Sequence, residues 1–541
     1  MSVDLELVWS NPRARIAKRA DVVAARDRFA LLDPSATPAT AMRDDVLLVR
    51  EALDAAGIDH LLIRGDDSRP VLAVDRALRA EVATALTQAL AAEPFYARAE
   101  DGDKSRELLI ADGKLPGAHG RGDVLRLYRR RVTDAGRLWR PVASAVFLEF
   151  WRFGDLELLA PRDNAIARRR LPRTDAVATT VERFGTTWNT LSGMFDEHAG
   201  EVTFDIDLVF SWVDGTDLEF QRERARRMGS YVVGEGDDSE ARYRQIDELK
   251  FALRSVYVYA PWIRRIFIAT DSPRPVWLDE HPRVTLVRSE DFFADPSTLP
   301  TYNSHAIEAQ LHRIPELSEH FLYSNDDMFF GRPVTPEMFF SPGGITKFVE
   351  ATTRIGLGDT STERSGYENA ARVNRALLRQ RFGRVITRHL EHCATPLRKS
   401  VLQQLAAEFP AQFAATSGSP FRSATDISVT NSLYHYYALF TGQAVTQTQA
   451  KMLYVETTLA SAAGQLRHLL ADRRYDFFCL NDGSLPEIPV EQRTQQTRVF
   501  LEKYFPVPAP WEALAAASAG AAPTATGVIS DDRLTAVAPS E

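Results

Sequence analysis

The sequence predicts an α/β protein with a mostly parallel sheet and helical additions, preceded by a smaller α+β domain. From Asp205 onward, apolar runs typical of strands alternate with segments of helical periodicity, an order that favours a parallel sheet covered by helices. Several of these runs end in acidic residues, and ligands bind such sheets beyond the carboxyl ends of the strands. At 541 residues the chain is also far longer than one typical domain.

Residues 1–195 form the first predicted domain, an α+β accessory domain. Helical periodicity covers 41–57 and 76–92, and the strand-like runs include DHLLIRG, RPVLAVD and SAVFLEFWRF. The region carries many charges, but they form no constellation that indicates chemistry. We therefore assign it no function from the sequence.

The charge balance gives no reason to expect nucleic acid as a partner. There are 73 acidic and 65 basic residues, and the net charge is -8. Arginine-rich clusters at 126–131, 167–173 and 222–227 are interpreted first as solvated faces, which is what most charge runs are. The alternative is that they meet an anionic substrate or a membrane surface.

The cysteine count and the hydropathy pattern favour a cytoplasmic protein. Cys393 and Cys479 lie 86 positions apart, which is neither a disulfide framework nor a clustered zinc site. The first residues lack the apolar run of a secretory signal, and no stretch approaches the ~18 consecutive apolar residues of a membrane span. Peripheral association with the inner face of the cell membrane and oligomer formation both stay open.

The second predicted domain spans 205–505 and opens with a strand, DIDLVFSWVDG, that ends in a turn. The glycine- and acid-rich loop at 232–242 is a candidate mobile lid, and helical periodicity follows at 246–259. Strands are predicted at RRIFIATD, RVTLVRSED and YDFFCLNDG, and helices over 372–410 and NSLYHYYALFTG. The Ala-, Pro- and Gly-rich segment 508–541 is predicted to be disordered.

The segment 299–333 carries the strongest functional signal. Asp326 and Asp327 follow an apolar strand, and two adjacent carboxylates there cost free energy unless a cation or hydrogen-bond donors compensate. Mg²⁺ fits, because it takes oxygen ligands and keeps waters and substrate phosphates in its remaining positions. His305, Glu308 and His312 are spaced i, i+3, i+7, which predicts one helical face beside the carboxylates.

Other acidic strand ends, and other metal or phosphate signatures, give weaker evidence for a functional site. Asp271 and Asp291 also follow apolar runs, but a turn or helix-cap role is the better interpretation for each. A zinc site on the histidines is disfavoured, because the His-Glu-x-x-His pattern is missing and no cysteine supports it. The sequence also has no P-loop and no G-x-G-x-x-G, so phosphate must be bound by a metal, by arginine and by loop amides.

Several blocks resemble a known family. DIDLVFSWVDG, RYRQIDELKFALRSVYVYAPWIRRIFIATD, LPTYNSHAIEAQLHRIPELSEHFLYSNDDMFFGRPV, the HCATPLRKSVL and FRSATDIS segments, and FFCLNDG are similar, in order, to the four conserved regions of the Stealth family. That family includes bacterial capsular-polysaccharide phosphotransferases and an animal lysosomal-enzyme GlcNAc-1-phosphotransferase. The resemblance covers about 205–483, with blocks near 205–215, 242–334, 388–430 and 475–484.

The resemblance implies a fold, a reaction and partners. The implied fold is a Rossmann-like sheet of the glycosyltransferase-A type. The implied reaction transfers a hexose 1-phosphate or N-acetylhexosamine 1-phosphate from a UDP-sugar to a hydroxyl of a polysaccharide or oligosaccharide acceptor. UMP is released and a phosphodiester remains, in exopolysaccharide or capsule synthesis. The implied cofactor is Mg²⁺ or Mn²⁺.

The resemblance also implies site residues, to which the residue analysis adds weaker candidates. His392 is favoured over Glu308 as general base, although both stay open. The run RQIDEL and the turn Asp271-Ser272-Pro273 depart from the family pattern, so the donor sugar stays open. The catalytic candidates are His392, Glu308, Asp327, Arg422 and His305; the metal candidates are Asp326, Asp327, Asn481 and Asp482; the substrate-binding candidates are Trp212, Asp214, Gly215, Asp247, Lys250, Arg254 and Asn303.

Two other functions remain as alternatives. A metal-dependent glycosyltransferase would use the Asn-Asp-Asp motif in the same way but would release UDP. A non-catalytic glycan-binding protein would retain the scaffold without the chemistry, yet every carboxylate and basic residue named above is present.

Overall fold

A computed structural model describes residues 11–25, 28–65, 69–100, 107–116, 122–132, 138–139, 145–228, 246–483 and 486–513. The chain divides into two compact units, one containing residues 1–197 and the other residues 198–521. The predicted lid at 232–242 lies outside the described residues. In the part of the chain that is described, no helix combines the length and the apolarity needed to cross a bilayer.

The first unit is an α+β domain built on a mixed sheet. Its central strand, VFLEFWRF, runs parallel to PVLAVD and antiparallel to VLRLYR, and its buried side chains are apolar or aromatic apart from Glu149. The elements are α1 (Pro12–Ala17), β1 (Val22–Ala25), β2 (Arg28–Leu32), α2 (Pro38–Ala55), β3 (His60–Arg64), β4 (Pro70–Asp75), α3 (Arg79–Ala89), β5 (Phe95–Ala99), β6 (Leu108–Leu109), β7 (Val124–Arg129), β8 (Arg131–Val132), β9 (Leu138–Trp139), β10 (Val146–Phe153), β11 (Glu157–Leu159), β12 (Arg170–Pro172), β13 (Ala178–Arg183) and β14 (Thr186–Leu191). The sheet order is β12-β11-β10-β7-β5-β6, with β4 paired to β10 and β3 paired to β4.

One arginine cluster is not the solvated face that the sequence suggested. Arg129 and Arg131 both donate to the carboxylate of Asp45, which is fully buried on α2. Arg130 donates to Glu107 at 2.8 Å. The prediction of a surface cluster at 126–131 is wrong for these arginines, because each one is paired with a carboxylate inside the domain.

The second unit contains the predicted parallel sheet, which confirms the α/β class. Strands β15 (Ile206–Ser211), β16 (Ile266–Ala269), β17 (Val284–Val287) and β18 (His320–Asn325) are parallel, in the order β17-β16-β15-β18. An antiparallel strand, β23 (Thr395–Arg398), pairs with β18 at the edge. The carboxyl ends of the parallel strands and the start of β23 therefore meet at one edge of the sheet.

A smaller sheet joins this edge. Strand β19 (Met328–Phe330) pairs with β26 (Phe477–Asn481), which also pairs with β25 (Met452–Glu456). Only Asp326 and Asp327 separate β18 from β19. The acidic pair is thus the connection between two sheets, and both of its neighbouring strands are fixed by pairing and by burial of their phenylalanines.

The remaining elements of this unit surround the two sheets. The segment 396–398 was predicted as helix but forms part of β23, since its backbone pairs with β18. The elements are α4 (Leu218–Met228), α5 (Glu248–Tyr259), α6 (Ser289–Phe292), α7 (Ser304–Glu308), β20 (Thr346–Phe348), β21 (Glu350–Arg354), α8 (Gly366–Phe382), β22 (Arg388–Leu390), α9 (Lys399–Glu408), α10 (Pro410–Ser417), α11 (Tyr434–Phe440), β24 (Ala444–Thr446), α12 (Ala462–Asp472) and α13 (Val490–Tyr504).

The chain remains ordered beyond residue 507, so the prediction of disorder from 508 is wrong as far as 513. Trp511 is fully buried and packs edge-on against Tyr257, at a centroid distance of 5.9 Å. Glu512 accepts two hydrogen bonds from Arg254, at 2.6 and 2.7 Å. A single tryptophan therefore anchors a segment whose composition is otherwise typical of disorder. Residues 514–541 lie outside the described residues.

We expect Trp511→Ala to lower the free energy of unfolding by about 3–5 kcal/mol, because it removes a fully buried aromatic side chain. Urea denaturation of the full chain measures this change. Val276→Ala is the matched control, since Val276 is 97% exposed and its truncation should change the free energy by less than about 0.5 kcal/mol. Equal stability of both variants would contradict the anchoring role.

Candidate functional site

The site is built around the junction at Asp326 and Asp327. The backbone oxygen of Asp327 accepts a hydrogen bond from the N–H of Leu480 at 3.0 Å. The Cys479 thiol donates to Oδ2 of the same aspartate at 3.4 Å. These contacts place the segment that ends in Asn481 and Asp482 directly beside the acidic pair, although more than 150 residues separate the two in the sequence.

Negative charge accumulates at this junction. Burial, with the charge of Asp327 added, raises the pKa of Asp326 to about 7. Burial also raises the pKa of Asp327 to about 6, and the charges of Glu248 and Asp482 act in the same direction. The buried Oδ1 of Asp327 has no hydrogen-bond partner in the described structure. Uncompensated carboxylates with an unused oxygen are what a hard cation requires.

The carboxylate of Asp482 already has partners within the protein. The Thr457 hydroxyl donates to its carboxylate, and Nε of Arg493 lies 3.6 Å from Oδ1. Asn481 contributes a backbone oxygen to Thr457. Gly483, which follows, has no room for a side chain, because a Cβ would overlap the carboxylate of Glu456. The Asn-Asp-Gly turn is therefore fixed tightly against β25.

The carboxylates at the junction can hold a cation only if the substrate supplies most of the metal ligands. Among the described residues, no group of three or more His, Cys, Asp or Glu side chains is arranged to hold a metal ion. Asp326 and Asp327 supply two carboxylates, and that number is sufficient for Mg²⁺ when phosphate oxygens and waters fill the other positions. The residues present thus fit an ion that binds together with a phosphorylated substrate.

A second cluster surrounds Glu308 on α7. Burial raises the pKa of this carboxyl group, and the charge of Arg422 acts against the shift. Arg422 donates to the Ser304 hydroxyl at 2.9 Å, so the guanidinium is held against the first turn of α7. The backbone N–H of Thr430 approaches Oε2 of Glu308 at 3.5 Å. Glu308 is therefore a buried carboxyl group with a cation beside it.

Tyr323 connects the two clusters. It is a buried residue of β18, and burial raises its pKa well above the ordinary range. The charges of Glu308 and Asp326 contribute to this shift, and that of Arg422 opposes it. Charges from the Glu308 cluster and from the acidic junction therefore act on the same buried tyrosine.

His392 lies on the approach to β23. Its ring meets Tyr454 edge-on at a centroid distance of 5.4 Å and also faces Tyr367 at 6.2 Å. Burial lowers the pKa of His392, which favours the neutral imidazole. Burial and the charges of Cys479 and Asp327 raise the pKa of Tyr454, so this tyrosine lies between His392 and the acidic junction.

Asn303 and His305 are positioned by protein partners. The side chain of Asn303 accepts from the N–H of His305 at 3.1 Å and donates to Asp426 at 2.8 Å. Nδ1 of His305 is 4.0 Å from Asp426. Asn303 and His305 are 0% and 1% exposed, and their partners in the protein give both of them a positioning role, while their predicted contact roles stay predictions. Together they hold the Arg422 loop against α7.

Four further predicted residues have partners or positions that the sequence did not indicate. Arg254 is bound to Glu512, and Lys250 lies 3.6 Å from the same carboxylate, so both cations are paired within the protein and their donor contacts stay predictions. The predicted face of His305, Glu308 and His312 is wrong in its last member, because α7 ends at Glu308 and His312 sits in a separate turn. Asp247 is exposed at the start of α5, where its side chain makes no capping hydrogen bond.

The turn after β15 is rigid. The Asp214 carboxylate accepts from the N–H and the hydroxyl of Thr216, at 2.9 and 2.7 Å, and its own N–H donates to Ser272. Gly215 accepts from Gln221 through its carbonyl. The indole N–H of Trp212 is buried and has no partner in the described structure. A ligand beyond the sheet could use this donor.

The cap interpretation holds for both of the other acidic strand ends. Asp271 accepts from the N–H of Ser289 at 2.8 Å and from its hydroxyl at 2.6 Å. Asp291 accepts from the N–H of Arg288 at 3.1 Å. These carboxylates stabilise the start of α6 and are not part of the acidic junction.

Comparison with known proteins identifies the family. Models of Stealth protein conserved regions 1, 2, 3 and 4 match residues 204–232, 242–348, 391–439 and 467–522. The exopolysaccharide phosphotransferase CpsY of Mycobacterium tuberculosis is 57% identical over 92% of this chain and 93% of its own length. The chain belongs to the Stealth family. An exopolysaccharide phosphotransferase of Nocardia farcinica is 53% identical over 89% of each chain.

The predicted enzyme class is confirmed by these relatives, so this Stealth protein is a phosphotransferase. Among solved structures, galactosyltransferase LgtC in complex with donor and acceptor sugar analogs matches 55% of this chain and 95% of its own, at 11% identity and a TM-score of 0.27. A second LgtC structure matches 54% and 95%, at 12% identity and a TM-score of 0.29. Matches at these scores carry no argument about the site.

The structure adds site residues of this Stealth enzyme that the sequence did not single out. Glu248 is adjacent to the predicted Asp247, and Tyr323 is on the strand that leads to the acidic pair, so position could have indicated both. Tyr454 and Arg493 had no such signal, because β25 was not predicted and α13 lies beyond the block near 475–484 on which the sequence resemblance rested. Tyr454 reaches the site through its contact with His392, which is distant in sequence, and Arg493 through its contact with Asp482.

We expect Asn303→Ala to lower the free energy of unfolding by about 1–3 kcal/mol, because it leaves buried partners of the amide unsatisfied. Chemical denaturation measures the change, and Ser297→Ala at the exposed turn before α7 is the control. Unchanged stability combined with weaker donor binding would instead support the original prediction of a substrate contact.

Proposed function

We propose that this Stealth enzyme transfers a hexose 1-phosphate or N-acetylhexosamine 1-phosphate from a UDP-sugar to a hydroxyl of a glycan acceptor. The reaction would release UMP and would serve exopolysaccharide or capsule synthesis. The observation that carries the proposal is the contact of Asp327 with Cys479 and Leu480, which joins two distant acidic turns into one site. The names of the relatives, exopolysaccharide phosphotransferases, support the acceptor class.

The proposed chemistry breaks a bond at phosphorus. The acceptor oxygen attacks the phosphorus that carries the sugar, the bond from that phosphorus to the oxygen of UMP breaks, and the hydroxyl proton passes to a base. Phosphoryl transfer of this kind depends on positioning and on charge stabilisation more than on covalent participation by the protein. Arg422, held by Ser304, would stabilise the charge on the phosphoryl oxygens with its planar set of donors.

A divalent cation, Mg²⁺ or Mn²⁺, is part of this proposal. Asp326 and Asp327 would hold it, because burial and neighbouring carboxylates raise their pKa values and Oδ1 of Asp327 has no partner in the described structure. When bound, it would neutralise charge on the diphosphate. Asp482 is already paired with Arg493, so we assign it and Asn481 to shaping the turn beside the cation.

His392 is the favoured general base. Burial lowers its pKa, so the imidazole is neutral near pH 7 and can accept a proton. Burial raises the pKa of Glu308 and the charge of Arg422 opposes the shift, and we assign this carboxyl group to orienting the arginine. The turn at Trp212 and Asp214 would line the nucleotide pocket, with the indole N–H as a donor.

We expect Asp327→Asn to reduce UMP formation by more than about a hundredfold, because it removes charge at the proposed cation site. The assay quantifies UMP from donor plus acceptor across a Mg²⁺ titration. Asp472→Asn, at an exposed ion pair with Arg474, is the control and should retain full activity. Turnover of Asp327→Asn at the normal rate, with a normally folded protein, would rule out the cation assignment.

We expect His392→Gln to slow transfer by about 10²–10⁴-fold while leaving the affinity for the UDP-sugar unchanged, as loss of a general base does. Single-turnover kinetics together with calorimetric donor binding measure the two effects. Glu308→Gln is the comparison, and a larger rate loss in that variant would transfer the base role to Glu308.

The released nucleotide discriminates the proposal from its rival. We expect chromatography of the products to show UMP, with a phosphodiester signal in the phosphorus NMR spectrum of the glycan. Release of UDP and a glycosidic linkage would indicate an ordinary metal-dependent glycosyltransferase.

A further inference from the structure

A groove of about 1590 Å³ lies on the second unit, between α8, α10 and the segment 355–360. This volume exceeds the few hundred to ~1,000 Å³ of a typical small-molecule pocket, so the groove has room for a chain of several sugar units. None of the residues assigned to the acidic junction lines it. It is therefore a separate binding surface that the proposed function does not yet use.

The lining of the groove is strongly basic. It contains Arg354, Arg372, Arg375 and Arg379, against the single carboxylate of Asp359. These guanidinium groups donate to neutral partners, such as the backbone oxygen of Gly356 for Arg375 at 3.0 Å. In the described part of the chain, no ion pair between these four arginines and a carboxylate is present within 4.0 Å. The positive charge is therefore available to an anion.

Arg372 gives a second, independent indication of an anionic ligand. Its side chain is buried, at 7% exposure, and its Nε has no hydrogen-bond partner in the described structure. The guanidinium packs directly onto the backbone of Gly356, where a Cβ would overlap it. An arginine in this position keeps an unsatisfied donor next to the groove, which is costly unless a ligand completes it.

Between the arginines the groove is aliphatic. Ile355, Val373 and Leu377 line it, and Leu357 and Val385 at its margin are 88% and 52% exposed. Apolar patches of this kind pack against the carbon–hydrogen faces of sugar rings, whereas the arginines match negative charges between the rings. A polymer in which sugars alternate with anionic links has this pattern.

The groove lies beside the loop that carries Arg422. Thr425 lines the groove and belongs to the same loop as Arg422. That loop is held by Asp426, which accepts from Asn303 and from the N–H of Ser423 at 2.9 Å. A chain lying in the groove would therefore end near Arg422, where the acceptor hydroxyl is required.

We propose that this groove binds the acceptor, and that the acceptor is a glycan whose units are joined by phosphodiester bonds. The inference rests on the proposed function, because each transfer leaves one phosphodiester in the product. A growing chain thus becomes more anionic with every round and meets a groove with matching positive charge. The enzyme would in this way favour its own elongated product as the next acceptor.

A binding experiment tests the proposed role of the groove without requiring catalysis. The probes are a synthetic tetrasaccharide with phosphodiester links and a neutral tetrasaccharide of the same sugars with glycosidic links, titrated calorimetrically into the full chain without donor. The variant combines Arg354→Glu and Arg379→Glu, two exposed positions. The control is Arg498→Glu, an exposed position on α13.

We expect the parent protein to bind the phosphodiester probe more tightly than the neutral one, and the double variant to lose about tenfold or more of that affinity. The loss should shrink as salt is raised, since exposed charges are screened. Arg498→Glu should bind like the parent. In transfer assays the double variant should raise the KM for the phosphodiester acceptor and leave kcat unchanged.

Three results would overturn the inference, and a fourth would separate it from the proposed reaction. Equal affinity for the two probes, or unchanged binding by the double variant, would exclude recognition of phosphodiesters in the groove. Loss of binding to phosphatidylglycerol vesicles in the double variant, with unchanged oligosaccharide binding, would identify a membrane-docking surface instead. Groove-dependent probe binding in an enzyme that releases no UMP would support the groove while contradicting the proposed reaction.

Discussion

The site depends on the two-residue connection between β18 and β19. Because Asp326 and Asp327 are the whole link between two sheets, neither carboxylate can move away from the other by a change in the backbone. Both strands are held by ladders, β18 between two neighbours and β19 against β26. Electrostatic repulsion between the aspartates is therefore imposed by the topology, and a cation can relieve it.

This constraint also explains why β26 matters to the chemistry. Its pairing with β19 brings the thiol of Cys479 to the Asp327 carboxylate, and the strand then delivers Asp482 to the same place. Arg493 offsets the charge of Asp482 from the far side. The negative potential would thus stay concentrated at the junction, where the proposed cation would meet substrate phosphates, rather than spread along the loop.

Local patterns predicted the strands and the acidic pair, because each apolar run and its terminal residues are contiguous in sequence. The α/β class follows from such runs, whereas the adjacency of the two acidic turns was expected only from the family resemblance. Long-range pairing decides what local patterns could not show: Arg254 is bound by Glu512, and the arginines at 129–131 by carboxylates elsewhere in their domain. The burial of Trp511 likewise depends on residues that are distant in sequence, since its neighbours in sequence are typical of a disordered tail.

Acidic and basic side chains occupy different parts of the second unit. An acidic junction by itself would repel an anionic donor and an anionic acceptor alike, so positive charge must accompany each of them. For the donor, the cation proposed at Asp326 and Asp327 would supply it, and the raised pKa values of these two residues support that proposal. For the acceptor, the arginines of the groove are already part of the protein. Arg422 belongs to a loop that lies beside the groove and also contacts α7. The phosphoryl group would therefore pass from the anionic donor to the anionic acceptor beside the guanidinium of Arg422.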